Sequence, residues 1–190
     1  MAQGFDVVKT VVERNVVVEG SDGFHQLVRT LVTTTHANGA RGYSAFVESS
    51  PSFERSVGGS RIVRATTDAA ARVEVAKLAA GMSAKNPGAG IPASGQKSVV
   101  VWPDAPASVE QKAALLARHY RDVLKFEPGA IFGPDMAVGE DVQDCVAIKH
   151  DLVDNIAGNS HHGHGVAIDE TGWTGRALVL ALGALSLIHI

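Results

Sequence analysis

The chain has 190 residues and a formal net charge of -3, with 45% hydrophobic and 19% charged residues. This composition is typical of a globular protein with a sizeable core, and neither half carries a basic block that would bind nucleic acid or an anionic membrane. Cys145 is the only cysteine, which excludes an internal disulfide and indicates a reducing compartment.

Neither end of the chain has the pattern of an export or membrane segment. Residues 1–15 are charged and broken up, without the apolar stretch of a signal peptide. Residues 177–190 are apolar, but they are fewer than the roughly 20 that a helical span needs. We therefore expect a cytoplasmic protein with no membrane partner.

Strands and helices alternate along most of the chain. Segments rich in β-branched and aromatic residues predict strands at 15–19, 42–48, 60–65, 97–102 and 130–132. Apolar residues at helical spacing predict helices at 67–82, 108–124, 141–152 and from 171 to the end. Thr67 or Asp68 caps the first helix, and Ser108 opens a capping box with Gln111. The alternation predicts an α/β protein: a single mixed-sheet domain with flanking helices.

The stretch 80–100 carries the most chemical information. Lys85 stands at the end of a predicted helix and Lys97 at the start of a predicted strand, with three glycines and two prolines between them. Such a composition brings backbone close to a ligand. Upstream, Gly58 and Gly59 have no side chains and expose backbone amides. Downstream, Asp135 follows a predicted strand, a common position for reactive groups in α/β sheets.

These pieces occur in a fixed order: Gly-Gly-x-Arg at 58–61, Gly-Met-x-x-Lys-Asn at 81–86, a glycine loop ending in Lys97, and Asp135. In that order they resemble the glutamate, leucine, phenylalanine and valine dehydrogenase family, over about residues 16–176. The resemblance implies an NAD- or NADP-dependent enzyme that interconverts an amino acid with its 2-oxo acid and ammonia. It also implies a homo-oligomer.

The same resemblance assigns roles to individual residues. It implies that Lys85 binds the substrate α-carboxylate with help from Gly58 and Gly59, and that Met82 belongs to the substrate site. It implies that Lys97 is the catalytic amine and Asp135 its proton-transfer partner. The chemistry agrees with these roles, because the iminium left by hydride removal must be attacked by water, and that water needs a base. A lysine can be this base where burial and a neighbouring cation lower its pKa from about 10.4 by a few units.

Val57 bears on the choice of substrate. The glutamate-specific members have a lysine at this position, which binds the side-chain carboxylate. An apolar side chain cannot pair a carboxylate, and burying that charge unpaired costs several kcal/mol. We therefore expect an apolar amino acid and a closer likeness to the leucine and phenylalanine type.

Two departures from the family pattern favour an alternative. Ser94 and Gln96 add side chains to the loop before Lys97, where the family usually has glycine or alanine. Together with the expected lack of a nucleotide-binding domain, they favour a non-catalytic assembly or ligand-binding module that kept the fold and lost the reaction, whereas the retained Lys85, Lys97 and Asp135 favour descent from an active enzyme.

Three other patterns are weaker. Residues 88–93 match the dinucleotide fingerprint by letter, but they follow a helix rather than a strand, and Pro92 falls inside them. His161, His162 and His164 are too close in sequence to converge on one tetrahedral ion, so we expect a polar loop and no metal. Cys145 falls in a helical pattern and is expected to be a buried thiol without function.

The end of the chain predicts the domain organisation. We expect a substrate-binding and dimerisation domain over 1–170, and the start of a helix towards an absent nucleotide-binding domain over 171–190. Thr171 resembles the threonine that opens this helix in the family, near nicotinamide and substrate, which makes it a candidate cofactor contact. The final residues do not resemble the family, so we expect a truncated chain, inactive alone, that lacks the Rossmann domain.

Overall fold

The computed structural model describes residues 4–103, 107–157 and 179–180. The strands are β1 (Val7–Glu19), β2 (His25–His36), β3 (Arg41–Val47), β4 (Ser56–Val63), β5 (Ser94–Val101) and β6 (Ala130–Gly133). The helices are α1 (Asp68–Gly88), α2 (Val109–Leu124) and α3 (Glu140–Lys149), and a 3-10 turn follows at Val153–Asn155. In the described part of the chain, no helix is both long and apolar enough to cross a membrane.

The strands form one mixed sheet in the order β1-β2-β3-β5-β4-β6. The first three strands and β5 pair antiparallel, whereas β4 pairs parallel with β5 on one side and with β6 on the other. The expected class, a mixed α/β sheet domain with flanking helices, is confirmed. The parallel strands place the carboxyl ends of β4, β5 and β6 at one edge of the sheet.

Helices cover both faces of this sheet. On β5, Val99 and Val101 belong to the core cluster under α1, whereas Val100 belongs to the cluster under α2 and α3. Because successive side chains of a strand point to opposite faces, α1 lies on one face and the other two helices lie on the opposite one. The predicted apolar face of α2 is confirmed, since its members Ala113, Leu116, Tyr120 and Val123 are all fully buried.

The capping signals also act as the sequence indicates. The Thr67 side chain accepts a hydrogen bond from the Ala70 amide at the start of α1. Ser108 and Gln111 form both hydrogen bonds of the capping box, with Ser108 Oγ accepting from the Gln111 amide and Gln111 Oε1 accepting from the Ser108 amide. Each cap satisfies a backbone amide that has no partner within its helix.

The predicted strands were incomplete in the first quarter of the chain. β1 begins at Val7 rather than residue 15, and β2 was not predicted at all. Two hairpin turns hold these strands together: Gly23 has φ +83° after β1, and Gly39 has φ +82° after β2. A positive φ at these positions is the conformation that glycine adopts without strain.

The boundaries of β4 and α1 also differ from the sequence prediction. β4 begins at Ser56 rather than residue 60, so Gly58 and Gly59 lie inside a central strand and not in a turn. α1 continues to Gly88 rather than ending near Met82, even though Pro87 lies in its last turn. Pro87 has no amide to bond the Ser83 carbonyl four residues earlier, and that oxygen instead accepts a hydrogen bond from Ser49 Oγ at 2.7 Å.

Candidate functional site

Lys97 and Asp135 meet across the central strand of the parallel part of the sheet. Lys97 lies on β5, Gly59 on its neighbour β4, and Asp135 just after β6, the strand beyond. Lys97 Nζ lies 2.5 Å from Asp135 Oδ2, and the two side chains are 9% and 24% exposed. The lysine therefore reaches over β4 to form a largely buried ion pair.

Gly59 makes this crossing possible. A Cβ at residue 59 would lie 2.9 Å from Lys97 Nζ, 3.1 Å from Asp135 Cβ and 2.8 Å from the Pro134 carbonyl oxygen. Any side chain there would occupy the space through which the lysine passes. The glycine thus has a role that the sequence did not suggest, in addition to any contact between its backbone and a substrate.

Gly58 has a different constraint. A Cβ at this position would lie 1.6 Å from the carbonyl oxygen of Gln96, a distance that no adjustment of side chains can relieve. Gly58 thus permits β4 and β5 to approach closely at the level of Lys97. The glycine pair therefore brings the two strands together and leaves an open path above them.

A tight turn carries Asp135. The amide of Asp135 donates to the Val138 carbonyl oxygen (3.0 Å) and the Val138 amide donates back (2.9 Å), while Ala137 adopts φ +60° between them. Arg61 Nε and Nη2 lie 3.0 and 2.9 Å from Asp135 Oδ2, the same oxygen that Lys97 contacts. The aspartate is thus fixed by its own backbone and by two cations.

The electrostatics of Asp135 follow from these neighbours. Burial alone would raise the pKa of its carboxyl, but the hydrogen bond and charge of Lys97, the Met136 amide and Arg61 outweigh it. The pKa of Asp135 therefore lies below its ordinary value, and the group is ionised at neutral pH. A carboxylate beside a largely buried amine can hold or pass a proton at that amine.

Lys85 lies on the last turn of α1 and is exposed. The next residue, Asn86, is buried and donates through Nδ2 to the carbonyl oxygens of Val57 and Ser94, each at 3.0 Å. These bonds hold the end of α1 against the first residues of β4 and β5. Lys85 also shares a helix face with Glu74, because their spacing is close to three full turns.

The Glu74 end of that helix face reaches the Lys97–Asp135 pair through Arg61. Glu74 Oε1 accepts a hydrogen bond from Arg61 Nη1 at 2.8 Å, and Arg61 in turn contacts Asp135.

Met82 lies one turn before Asn86 and is partly buried. Val57, also partly buried, is two residues before Gly59 and therefore on the same face of β4. Val57 and Gly59 of β4, Lys97 of β5 and Asp135 after β6 thus share one side of the sheet with α1, whereas Gly58 has the opposite phase.

Ser94 and Gln96 point away from this side. Both are buried, and Gln96 Nε2 donates to Ser98 Oγ at 2.8 Å. Ser98 is hydrogen-bonded to Ser44, which contacts His119 of α2. Because β5 alternates, Ser94, Gln96 and Ser98 lie on the α2 face, and Lys97 lies on the α1 face. The two unusual side chains therefore leave the space around Lys97 unobstructed.

The sequence analysis did not assign roles to Arg61, Glu74 or Asn86. Arg61 and Asn86 stand inside the matched patterns, so their presence was visible but their partners were not. Nothing local distinguishes Glu74 from other acidic residues on a helix surface. Its contact with Arg61 depends on how α1 packs on the sheet.

The glycines of residues 88–93, which match the dinucleotide fingerprint by letter, do not have the context of a dinucleotide site. Such a site needs a glycine-rich turn that leads from a strand into a helix. Gly88 and Gly90 instead lie between helix α1 and strand β5, which is the reverse order. The turn from β4 into α1, residues 64–67, contains no glycine. Thr171, the candidate cofactor contact, and the expected boundary at 170 lie outside the described residues.

Other candidate features carry no chemistry for this site. A cleft of about 640 Å³ lies between the turn after β1 and α1, and its rim charges Asp22 and Lys77 pair with each other. It does not include the Lys97–Asp135 pair.

Within the described ranges no cluster of three or more His, Cys, Asp or Glu residues could hold a metal ion. His161, His162 and His164 lie outside those ranges. Cys145 is buried in α3, and burial raises the pKa of its thiol.

Three solved structures share this arrangement of strands and helices. A hetero-hexameric glutamate dehydrogenase from Thermus thermophilus, in its leucine-bound form, matches 82% of this chain and 35% of its own, with a TM-score of 0.51 and 19% identity. An L-tryptophan dehydrogenase from Nostoc punctiforme matches 63% of this chain and 33% of its own, with a TM-score of 0.50 and 20% identity. A glutamate dehydrogenase from Peptoniphilus asaccharolyticus matches 84% and 38%, with a TM-score of 0.53 and 17% identity.

What these proteins share with the chain is a fold. This chain has the fold of part of an amino-acid dehydrogenase, and it spans about a third of the length of the structures it matches. No protein-family model and no curated protein matches the sequence. The matches include enzymes named for glutamate and for tryptophan, so they favour neither a charged nor an apolar substrate.

We predict that Gly59→Ala separates Lys97 from Asp135 while the sheet remains folded. The added methyl group would occupy the path of the lysine, and forcing atoms into packed space costs about 1–3 kcal/mol. The free energy of unfolding in urea should fall by that amount, and the pH titration of the Asp135 carboxyl, followed by NMR, should move to higher pH because a cation is lost.

Gly81→Ala is the matched control. Gly81 lies in α1 with no atom within 4 Å of its added Cβ, so alanine should stabilise the helix by about 0.5–1 kcal/mol. If Gly59→Ala left both the unfolding free energy and the Asp135 titration unchanged, the crossing over residue 59 would not constrain the site.

Proposed function

We propose that this chain supplies the amino-acid-binding and proton-transfer residues of an NAD- or NADP-dependent amino-acid dehydrogenase. The observation that carries this proposal is the Lys97–Asp135 pair across Gly59, on a fold shared with such enzymes. In the proposal the nucleotide is held by a part of the protein that the described residues do not include. The nucleotide supplies the hydride acceptor, and the residues of this chain act on the amino acid.

Each residue has a distinct task in this proposal. Lys85 is exposed at the end of α1, where its ammonium can pair with the α-carboxylate of an amino acid. Lys97 Nζ activates the water that attacks the oxidised substrate carbon. Asp135 exchanges a proton with the departing ammonia and with Lys97. The backbone of Gly58 and Gly59 lies below the substrate, and Met82 contributes to its apolar surroundings.

The alternative, a non-catalytic module, loses one of its supports. It rested on Ser94 and Gln96 in the loop before Lys97 and on the expected lack of a nucleotide-binding domain. Both side chains lie on the opposite face of the sheet, where Gln96 bonds to Ser98 and Ser94 Oγ accepts from the Ser49 amide. These two side chains therefore do not separate Lys97 and Asp135 from the α1 face.

We further propose that the substrate is an apolar amino acid. Val57 is partly buried on the same face of β4 as Gly59, and it presents hydrocarbon where a charged side chain would need a cation. Desolvating a second carboxylate there without a partner would cost several kcal/mol. This argument concerns the side chain of the substrate and is independent of how its α-carboxylate is bound.

The chain is also proposed to assemble with copies of itself through β1. This edge strand spans Val7–Glu19 and pairs only with β2 among the described strands, and Val8 and Val11 are 63% and 41% exposed. A long apolar edge usually requires a partner. An antiparallel pairing centred on Val11 would place Lys9 of each copy opposite Glu13 of the other, an opposite-charge pair in which Glu13 also contacts Arg72 of α1.

The proposed function predicts that amino acids protect Lys97 from chemical modification. The purified chain is acetylated at low reagent concentration, and modification of each lysine is measured by mass spectrometry with and without L-leucine. Lys97 and Lys85 should be protected, whereas Lys112, which lies on α2, should not. The chain alone should also show no amino-acid-dependent reduction of NAD or NADP. The proposed site would be contradicted if Lys97 were modified to the same extent without an amino acid and with saturating L-leucine or L-phenylalanine. Reduction of NAD or NADP by the chain alone would show that the nucleotide binds within it.

The substrate proposal predicts an order of affinities in the same assay. L-leucine should protect Lys97 at lower concentration than L-glutamate, because the site around Val57 leaves a second carboxylate unpaired. Val57→Lys should shift the ratio towards L-glutamate by about tenfold or more, which corresponds to about 1.4 kcal/mol. Val57→Met, an apolar substitution at the same position, is the control and should leave the preference for L-leucine. A wild-type chain that already prefers L-glutamate would refute the argument from Val57.

The assembly proposal predicts that Val11→Lys yields a smaller particle. The substitution places two like charges opposite each other at the centre of the proposed pairing, which is destabilising. Light scattering after size exclusion gives the mass. Leu27→Lys is the control, because Leu27 is 57% exposed but lies on β2, inside the sheet. A wild-type chain that is monomeric at high concentration would contradict the pairing.

A further inference from the structure

Arg61 shares one oxygen of Asp135 with Lys97. It lies on β4 two residues after Gly59, and its side chain is 17% exposed. Its Nε and Nη2 lie 3.0 and 2.9 Å from Asp135 Oδ2, and Lys97 Nζ lies 2.5 Å from the same atom. Two cations therefore compete for a single carboxylate oxygen.

A second carboxylate fixes Arg61 from the other side. Its Nη1 donates to Glu74 Oε1 of α1 at 2.8 Å. Burial would lower the pKa of Arg61, but the hydrogen bonds and charges of Asp135 and Glu74 outweigh it, so the pKa lies above its ordinary value. The guanidinium is thus a permanent charge held between the helix and the turn after β6.

We propose that Arg61 is a positioning residue, which orients Asp135 and weakens its grip on the Lys97 amine by occupying the same oxygen. The role in proton transfer rests on the proposed function; the geometric role does not. An aspartate with Lys97 as its only cation would hold the ammonium in a simple ion pair. With Arg61 present, Asp135 remains ionised and fixed while the amine is less tightly bound.

The proposal gives a role to the arginine of the Gly-Gly-x-Arg pattern. Gly59 opens the path for the lysine, and Arg61, on the same face of the same strand, reaches the end of that path from the opposite direction. A purely structural arginine would need only Glu74 or Asp135 as a partner. Arg61 contacts both, and it directs two of its donors to the oxygen that Lys97 uses.

The test compares Arg61→Met and Arg61→Lys with the wild-type chain. The first readout is the pH titration of the Asp135 carboxyl by NMR, and the second is the rate of acetylation of Lys97 at fixed pH. In Arg61→Met the Asp135 midpoint should rise by about one pH unit, because an opposite charge at this range lowers a carboxyl pKa by about 1–3 units. Acetylation of Lys97 should slow severalfold. Arg61→Lys should restore much of both.

Arg72→Met is the matched control for the loss of an ion-paired arginine. Arg72 lies on α1 and pairs with Glu13 of β1, away from Asp135. Its removal should lower stability without changing either readout. A folded Arg61→Met chain with an unchanged Asp135 midpoint and an unchanged Lys97 rate overturns the proposal.

Two further outcomes concern an Arg61 variant that does not fold and a failure of the proposed function itself. If Arg61→Met does not fold, Arg61→Gln keeps neutral donors for Asp135 and Glu74, and its Asp135 midpoint should still rise; an unchanged midpoint overturns the proposal. If L-leucine and L-phenylalanine fail to protect Lys97 in the wild-type chain while the Arg61 variants shift Asp135 as expected, the positioning role stands and the proposed function fails.

Discussion

The absence of one side chain at residue 59 determines the geometry of the candidate site. Lys97 lies on β5 and Asp135 just after β6, on either side of β4, and the lysine side chain passes over that strand. Neighbouring strands lie about 4.8 Å apart, so an extended lysine can cross one intervening strand if nothing stands on it. The site therefore requires that β4 lies between β5 and β6 and that residue 59 has no side chain.

Two further glycines keep the layers in place around this crossing. Gly58 lets β4 approach β5, and Gly95 lets β5 approach α1, since a Cβ at residue 95 would lie 2.2 Å from the Ala79 carbonyl oxygen and 2.3 Å from the Ser83 amide nitrogen. The helix therefore packs directly on the backbone of the strand that carries Lys97. Close packing of this kind fixes the height of the lysine above the sheet, because packed backbones cannot shift independently.

The sequence predicted the parts of the fold that depend on local signals. The capping box at Ser108, the apolar face of α2 and the strand that ends at Gly133 all have a local cause, and they agree with the structure. The missing strand β2 also had a signal, because Asn38-Gly39 is a strong hairpin sequence and Gly23 follows a Ser-Asp pair. Two turns at these positions bound a strand between residues 24 and 37, which is where β2 lies.

The residues of the candidate site also fall into two groups, those that the sequence could indicate and those that it could not. Lys85, Lys97 and Asp135 could be singled out from an ordered pattern, because the order of the pattern is preserved in the sequence. The roles of Arg61 and Glu74 could not, because their meeting depends on how far α1 stands from β4. The pattern also left the effect of Ser94 and Gln96 open. The phase of β5 decides which face they occupy, and a shift by one residue would have placed them on the α1 face, where Lys97 lies.

The face of β5 behind Lys97 explains why that phase is secure. Gln96 and Ser98 continue through Ser44 to His119, whose other ring nitrogen contacts Thr34. Burial, and then the nearby His36, lower the pKa of His119 to about 3, so the imidazole is neutral and can donate from one nitrogen while it accepts at the other. Hydroxyl partners suit either arrangement.

Slipping β5 by one residue would break this row of hydrogen bonds and bury polar groups without partners, which costs about 1–3 kcal/mol for each group. Gln96, one of the two side chains that depart from the family pattern in the loop before Lys97, therefore helps to hold β5 in the register that directs Lys97 towards Asp135.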